Sequence, residues 1–359
     1  MSTVNGASFL RDLTHKPFFW GIIAILILLA LNVLKDPTYL AISINPNNGN
    51  LVGNLIDILR QAAPIMMIAI GTSLVIATAG IDLSVGSLMA VGGAVSMEFL
   101  SSVGDSSSVG AAFAAIGLAL LVTGILGAVN GVLVAYVGLQ PFIATLVLML
   151  AGRGIAKVIT GGQNTAASNS PFRWIANGYI IGIPVVFIIA LAIVIGVGWV
   201  VRRSALGLMI EAIGINPKAS GMAGIKPKGL LLTTYVLSGV LAGVAGIMSV
   251  GSVMTVDISR TGYQFELDAI LAVVIGGASL MGGKFSLSGA FVGALLIATL
   301  DKTVLFLGIS SSATPAFKAL VIIAICLLQS ERVRGWFQSR RRAKTTTPTA
   351  EAVKEEVTA

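Results

Sequence analysis

Between Phe18 and Gln329 the chain alternates long apolar runs with short polar or glycine-bearing breaks. A helix needs roughly 20 apolar residues to cross a bilayer core, and on that measure the runs predict about ten spans. They are Phe18–Leu34, Pro64–Ala79, Val85–Leu100, Ala111–Tyr136, Pro141–Ile159, Ile180–Val201, Leu230–Val250, Leu267–Leu280, Leu287–Leu307 and Ala316–Gln329. Several are short, interrupted or glycine-rich, so kinked or re-entrant pieces are expected, and the count falls between about eight and ten. The predicted fold is all-α, a polytopic transmembrane helical bundle.

The polar segments divide the chain into a tail (1–17), a membrane body (18–330) and a second tail (331–359) that is basic at first and disordered from Thr345 onward. Asp36–Gly53, rich in Asn and Pro, reads as an extramembrane loop, and Ile56–Gln61 as a short interfacial helix. Phe18–Leu34 is longer than the apolar core of a secretory signal and is followed by no small-residue cleavage site, so it is read as a retained span. Basic residues gather in the first tail (Arg11, Lys16), the loop at 202–228 (Arg202, Arg203, Lys218, Lys226, Lys228) and the second tail (Arg332, Arg334, Arg340, Arg341, Arg342, Lys344). Positive charge marks cytoplasmic ends of spans. An even number of spans with both termini inside satisfies that rule at all three places. Asp36–Arg60, Ser101–Gly110, Gly161–Asn177 and Asp257–Glu266 then lie outside, with Lys157 and Arg173 running against the trend.

Composition agrees. With 56% hydrophobic and 11% charged residues and a mean hydropathy of +0.95, the chain lacks the charge, near a quarter of all residues, that a soluble domain of this size carries. Its net charge of +8 is accounted for by span ends, so no nucleic-acid partner is expected, while membrane lipid is. The single Cys326 allows no intrachain disulfide and no cysteine metal cluster, and the single His15 sits in the first tail. No GxxxxGK[ST] phosphate loop is present, so any ATP hydrolysis falls to another chain.

The loop at 202–228 is longer than a connection between membrane helices needs to be. Its pattern predicts a short helix over Leu206–Ile213, a turn at Gly214 and Asn216-Pro217, and a second short helix over Lys218–Ala223 ending at Gly224. Two readings stand: an amphipathic hairpin on the lipid surface, or a docking element presenting Met209, Glu211 and Met222 to a partner.

Glu211-Ala212-Ile213-Gly214-Ile215-Asn216, with Ala219 and Ala223-Gly224-Ile225, resembles the coupling loop of carbohydrate ABC importer permeases of the ribose/xylose/galactofuranose group. Ala79-Gly80-Ile81-Asp82-Leu83-Ser84-Val85-Gly86 is similar to that family's signature near its third span, and Ile275-Gly276-Gly277-Ala278-Ser279-Leu280-Met281-Gly282-Gly283 to its second glycine-rich turn. Ile56–Leu59, Gln140–Leu146, Ala151–Gly154 and Leu267–Leu271 look most like the galactofuranose permeases, whereas Pro217-Lys218 departs from them. The resemblance implies a non-catalytic subunit with no cofactor of its own. ATP and Mg would sit on a partner ATPase, a second permease (the same chain or a paralogue) would complete the membrane unit, and an extracytoplasmic binding protein would deliver a monosaccharide. Leu206, Gly207, Glu211, Ala212, Gly214, Asn216, Ala219 and Gly224 would form the ATPase-coupling segment.

Within the signature blocks, Asp82 or Ser84 suits an N-cap for the helix starting at Val85, with contact to substrate or a coupling proton as the alternative. Gly276, Gly277, Gly282 and Gly283 suit close backbone approach or a broken helix lining the path, and Gly86 closes the first signature block. Asn130, Gln140, Thr145 and Arg153 are polar groups within spans and hence path candidates, although each can equally bond a neighbouring helix. Glu266 and Asp268 are expected at an outer span edge. An ion-coupled carrier is the main rival reading.

Overall fold

The computed structural model describes residues 17–46, 49–310 and 312–329; His15, both tails and the side chain of Cys326 lie outside the described residues. Among those described, eight helices are long and apolar enough to cross a membrane. They are α1 (Pro17–Lys35), α2 (Asn54–Ala77), α3 (Val85–Val103), α4 (Val109–Val132, continued by a π-helical turn at Leu133–Val137), α5 (Pro141–Ile159), α7 (Val185–Arg203), α10 (Pro227–Val253) and α12 (Leu287–Phe306). Shorter helices are α6 (Ser170–Asn177), α8 (Leu206–Ile215), α9 (Pro217–Met222), α11 (Phe265–Ile275) and α13 (Thr314–Gln329). Strands are limited to two-residue pairs: β1 (Ser43–Ile44) with β2 (Leu51–Val52), β3 (Thr165–Ala166) with β6 (Thr255–Val256), and β4 (Tyr179–Ile180) with β5 (Ile183–Pro184).

The bundle therefore has eight long helices and two short ones where ten spans were expected. Ile56–Gln61 is not a separate interfacial helix. It forms the opening turns of α2, which runs on through Pro64 because its other backbone bonds hold. The sixth span starts later than its apolar run, at Val185, because Ile180–Pro184 turns back as the β4–β5 hairpin. α6 was not foreseen; Asn169 starts it by accepting from the Phe172 amide, with Pro171 in its first turn.

α2 is the axis of the bundle, buried along most of its length among α7, α10, α11 and α12. Small residues allow this closeness. Gly71 of α2 lies against Ser238 of α10, and Gly127 of α4 against Gly239. On α12, Gly289 and Gly293 admit the backbone of α11 at Gly276 and Ala272.

The segment 257–266, expected as a loop beyond the spans, packs into the bundle: Arg153 of α5 donates to the Thr261 carbonyl oxygen at 2.6 Å, and any side chain at Gly86 would collide with Gly262 and Glu266. Gly262 (φ 68°) and Gln264 (φ 65°) adopt left-handed backbone, which turns the chain back so that α11 starts within the bundle. The first turns of α3 and α11 thus face one another in the interior.

Candidate functional sites: the connecting segment and the broken-helix centre

α7 ends on Arg202 and Arg203, and α8 follows two residues later. The Asn216 side chain accepts from the amides of Lys218 and Ala219 at 3.0 Å each, which starts α9; Gly224, at φ 87°, releases the chain toward Pro227. Both short helices fall close to where the sequence pattern put them. α8 turns Ile210, Ile213 and Gly214 inward and leaves Leu208, Ile215 and Met222 of the hairpin exposed, at 73%, 76% and 86%. Met209 and Glu211 are half-buried, not fully exposed as expected, and Glu211 forms no ion pair with any described residue. Leu206, Gly207 and Ala212 are also half-buried, with room at Gly207 only for hydrogen because the Val201 carbonyl oxygen is 2.8 Å from where a Cβ would stand.

The inward side of α8 is where the three sequence blocks meet. Gly214 sits against the Ala77 carbonyl oxygen, at the end of α2, and against the Gly283 amide; those two groups bond each other at 2.9 Å. Gly282 abuts Ala79, and Gly277, Gly282 and Gly283 all have left-handed φ, so the segment is a tight turn in which Cβ atoms are disfavoured on two counts. Gly276 serves differently, by touching the backbone of α12 at Gly289.

The other signature residues form a buried hydrogen-bond chain. Asp82 accepts through Oδ1 from the Ser84 amide (2.9 Å) and hydroxyl (2.6 Å), and through Oδ2 from Ser238 on α10 (2.8 Å). Asn130 on α4 donates to Ser84 Oγ at 2.9 Å. This corrects the expected cap: Ser84 occupies the N-cap position of α3, but neither its side chain nor that of Asp82 accepts from the helix's first-turn amides. The carboxylate closes its own turn and reaches to α10, because a buried charge needs several donors and Ser238 supplies one that the first turn does not.

Of the four path candidates, Asn130 and Thr145 are buried, with their donors engaged inside the protein; Thr145 donates to the Ile81 and Pro141 carbonyls, both at 3.0 Å. Gln140 is exposed at the head of α5. Arg153 holds the dipping segment and faces Glu266, whose Oε2 is buried without a hydrogen-bond partner.

One cluster went unseen in the sequence. Lys318 of α13 donates to both carboxylate oxygens of Asp268 (2.9 and 3.0 Å) and lies 2.9 Å from Oδ1 of Asp301. Asp268 stands in the first turn of α11, at the start of that helix as expected, but it is buried and not solvated. Charges inside the apolar runs at 301 and 318 were the available signal; their separation from residue 268 in sequence concealed the pairing. Two hollows flank the cluster. A groove of about 530 Å³ between α11 and α13 is lined by Gln264, Leu267, Asp268, Thr314 and Lys318. A cavity of about 260 Å³ among α2, α10, α11 and α12 is lined by Arg60, Gln61, Ser249, Ser252, Phe265 and Asp301.

Comparison with known proteins assigns the class. The family described as branched-chain amino acid transport system / permease component matches residues 54–328. The chain is 49% identical to the fructose import permease protein FruF of Bifidobacterium longum, over 97% of this chain and 98% of that protein. It is 41% identical to the galactofuranose transporter permease protein YtfT of Escherichia coli, over 87% and 89%, and 37% identical to the ribose import permease protein RbsC of the same species, over 87% and 93%. No solved structure matches the chain. The chain belongs to this family of ATP-binding-cassette importer permeases, on its sugar-transporting side, and as such is a membrane transport subunit and not an enzyme.

Proposed function

We propose that this chain is the path-forming subunit of a bacterial hexose importer, with fructose its first candidate substrate. The similarity to the fructose permease, which extends over nearly all of both chains, favours fructose over the galactofuranose or ribose-like sugar that the sequence blocks suggested. An extracytoplasmic binding protein delivers the sugar to a pair of permeases, either two copies of this chain or this chain and a paralogue. A separate ATPase subunit binds ATP and Mg and closes beneath them. The chain lies in the cytoplasmic membrane with both termini and the 202–228 segment on the cytoplasmic side, where the basic residues favour it.

The observation that carries the coupling role is the junction at Gly214. α8 touches both the end of α2 and the Gly276–Gly283 turn, where part of the Ile215 side chain also rests on Gly283, while Leu208 and Met222 and most of Ile215 stay exposed among the described residues. A push on those exposed apolar groups is delivered to the central helix through backbone contacts that have no slack. Leu206, Gly207, Glu211, Ala212, Asn216, Ala219 and Gly224 shape that lever. In the path itself, Arg153 holds the inward-dipping segment, Asn130 and Thr145 brace its neighbour, and Gln140 lies at its cytoplasmic mouth.

The test is co-purification from membranes. Wild type retains an ATPase subunit and supports ATP-driven uptake, while Glu211→Arg, a change on the half-buried side of α8, loses one or both with insertion intact. A wild-type chain that holds no ATPase would sink the reading. The buried Asp268–Lys318–Asp301 cluster is the one observation favouring an ion-coupled carrier. Uptake by liposomes containing the purified chain alone, driven by a proton gradient without ATP, would establish that rival.

A further inference from the structure

Charges in a membrane bundle are costly, and a structural ion pair needs only one of each sign. The cluster here has two carboxylates for one ammonium, and it stands between two hollows: Asp268 and Lys318 line the α11–α13 groove, and Asp301 lines the cavity beside α2. Lys318 satisfies Asp268 through both oxygens but Asp301 through Oδ1 alone, which leaves the second Asp301 oxygen without a donor among the described residues. Across the same cavity, Arg60 spends one guanidinium nitrogen on the Tyr179 hydroxyl, which fixes its side chain at the wall. The cavity wall thus offers an acceptor oxygen of Asp301 with no donor among the described residues, together with Arg60, Gln61, Ser249 and Ser252, and an aromatic face at Phe265 against which the C–H side of a sugar ring can lie. Both hollows are wide enough for a monosaccharide, and Gln264 and Thr314 continue the polar lining in the second.

We propose that Arg60, Gln61 and Asp301 form a polyol-binding site on the import path, and that the Lys318–Asp301 pair is the partition between it and the α11–α13 groove. A sugar hydroxyl donating to Asp301 competes with Lys318 for the same carboxylate. When it wins, Lys318 stays with Asp268, the two hollows join, and the sugar passes from one set of hydrogen bonds to the next. No bond is made or broken. This inference rests on the importer reading and gives it a location.

The test uses the complete transporter in liposomes, with fructose loaded on the binding protein, and reads sugar uptake and ATP hydrolysis in the same preparation. Asp301→Asn keeps the shape but weakens the acceptor; Gln61→Ala leaves the ion cluster untouched and guards against a variant that merely misfolds. Both are expected to lower uptake about tenfold, the effect of losing one charge-assisted or one well-placed hydrogen bond. Hydrolysis stimulated by the binding protein persists, so sugar moved per ATP falls. Uptake per ATP equal to wild type in Gln61→Ala, or uptake and hydrolysis falling in parallel in both variants, overturns the site and leaves the cluster a structural tie. Absence of ATP-driven uptake in the wild type instead strikes the importer reading.

Discussion

Replacing Gly214 by alanine tests whether α8 is a rigid lever. A Cβ at this position overlaps the Ala77 carbonyl oxygen and the Gly283 amide nitrogen, both backbone atoms that cannot rotate away. Relief requires α8 to withdraw by more than about 1 Å, since carbon contacts settle near 3.5–4.0 Å. Alternatively, the Gly283–Ala77 hydrogen bond parts. Overpacking costs about 1–3 kcal/mol, and an unmet buried backbone group costs about as much again. The smaller penalty is to let α8 swing outward. The folded bundle then survives, but the push from the ATPase no longer arrives at α2. The assay compares fructose uptake with binding-protein-stimulated ATP hydrolysis in liposomes, for Gly214→Ala and for Gly221→Ala. Gly221 lies in the exposed helix α9 with nothing within 4 Å of its Cβ position, so alanine there should be neutral or slightly stabilising. Gly214→Ala is expected to keep at least half of the hydrolysis and lose most of the uptake. Wild-type uptake per ATP in Gly214→Ala would refute the lever, because it would mean that the backbone contact transmits nothing.

Two further substitutions probe the interior. Asn130→Ala removes the donor to Ser84 Oγ in the buried Asp82 chain, with an expected loss of about 1–2 kcal/mol, read as a lower melting temperature of the purified chain in lipid nanodiscs; an unchanged melting temperature would show that the contact contributes no net stability. Lys318→Met strips the only described cation from Asp268 and Asp301, whose side chains are 11% and 26% exposed, and should cost about 3–5 kcal/mol, while Lys318→Arg retains most of the stability. Equal melting temperatures for Met and Arg at this position would mean that the carboxylates are neutral or hydrated in the membrane.

Much of the bundle was legible because lipid imposes a crude rule: where the backbone must satisfy itself, an apolar run of sufficient length becomes a helix. α5, α10 and the α8–α9 hairpin follow directly from that rule and from their local start signals, Pro141, Pro227 and Asn216. What the rule does not carry is depth. The 257–266 segment is polar enough to read as an outside loop, yet Arg153 and the left-handed turns at Gly262 and Gln264 draw it into the bundle. The same limit hid the ion cluster. Asp268, Asp301 and Lys318 each resemble a charge near a span end until three short or glycine-thinned helices place them side by side.

The signature blocks illustrate the opposite case, where motif and geometry agree on the residues but not on their work. A cap was the natural role for Asp82, since the residue before a helix has free amides within reach. In the folded chain Ser238 and Ser84 compete for the carboxylate, and they hold it because they are donors fixed by α10 and by the turn itself. The first-turn amides of α3 are thereby left to face the first turn of α11, where Gly86 meets Gly262 and Glu266. Glycine at position 86 is what allows that approach, since even one methyl group would meet Gly262 and Glu266. The block therefore serves less to start one helix than to hold two interrupted helices in register, and under the proposed coupling role a register held by hydrogen bonds and bare backbone is what a motion of α8 at the end of α2 would shift.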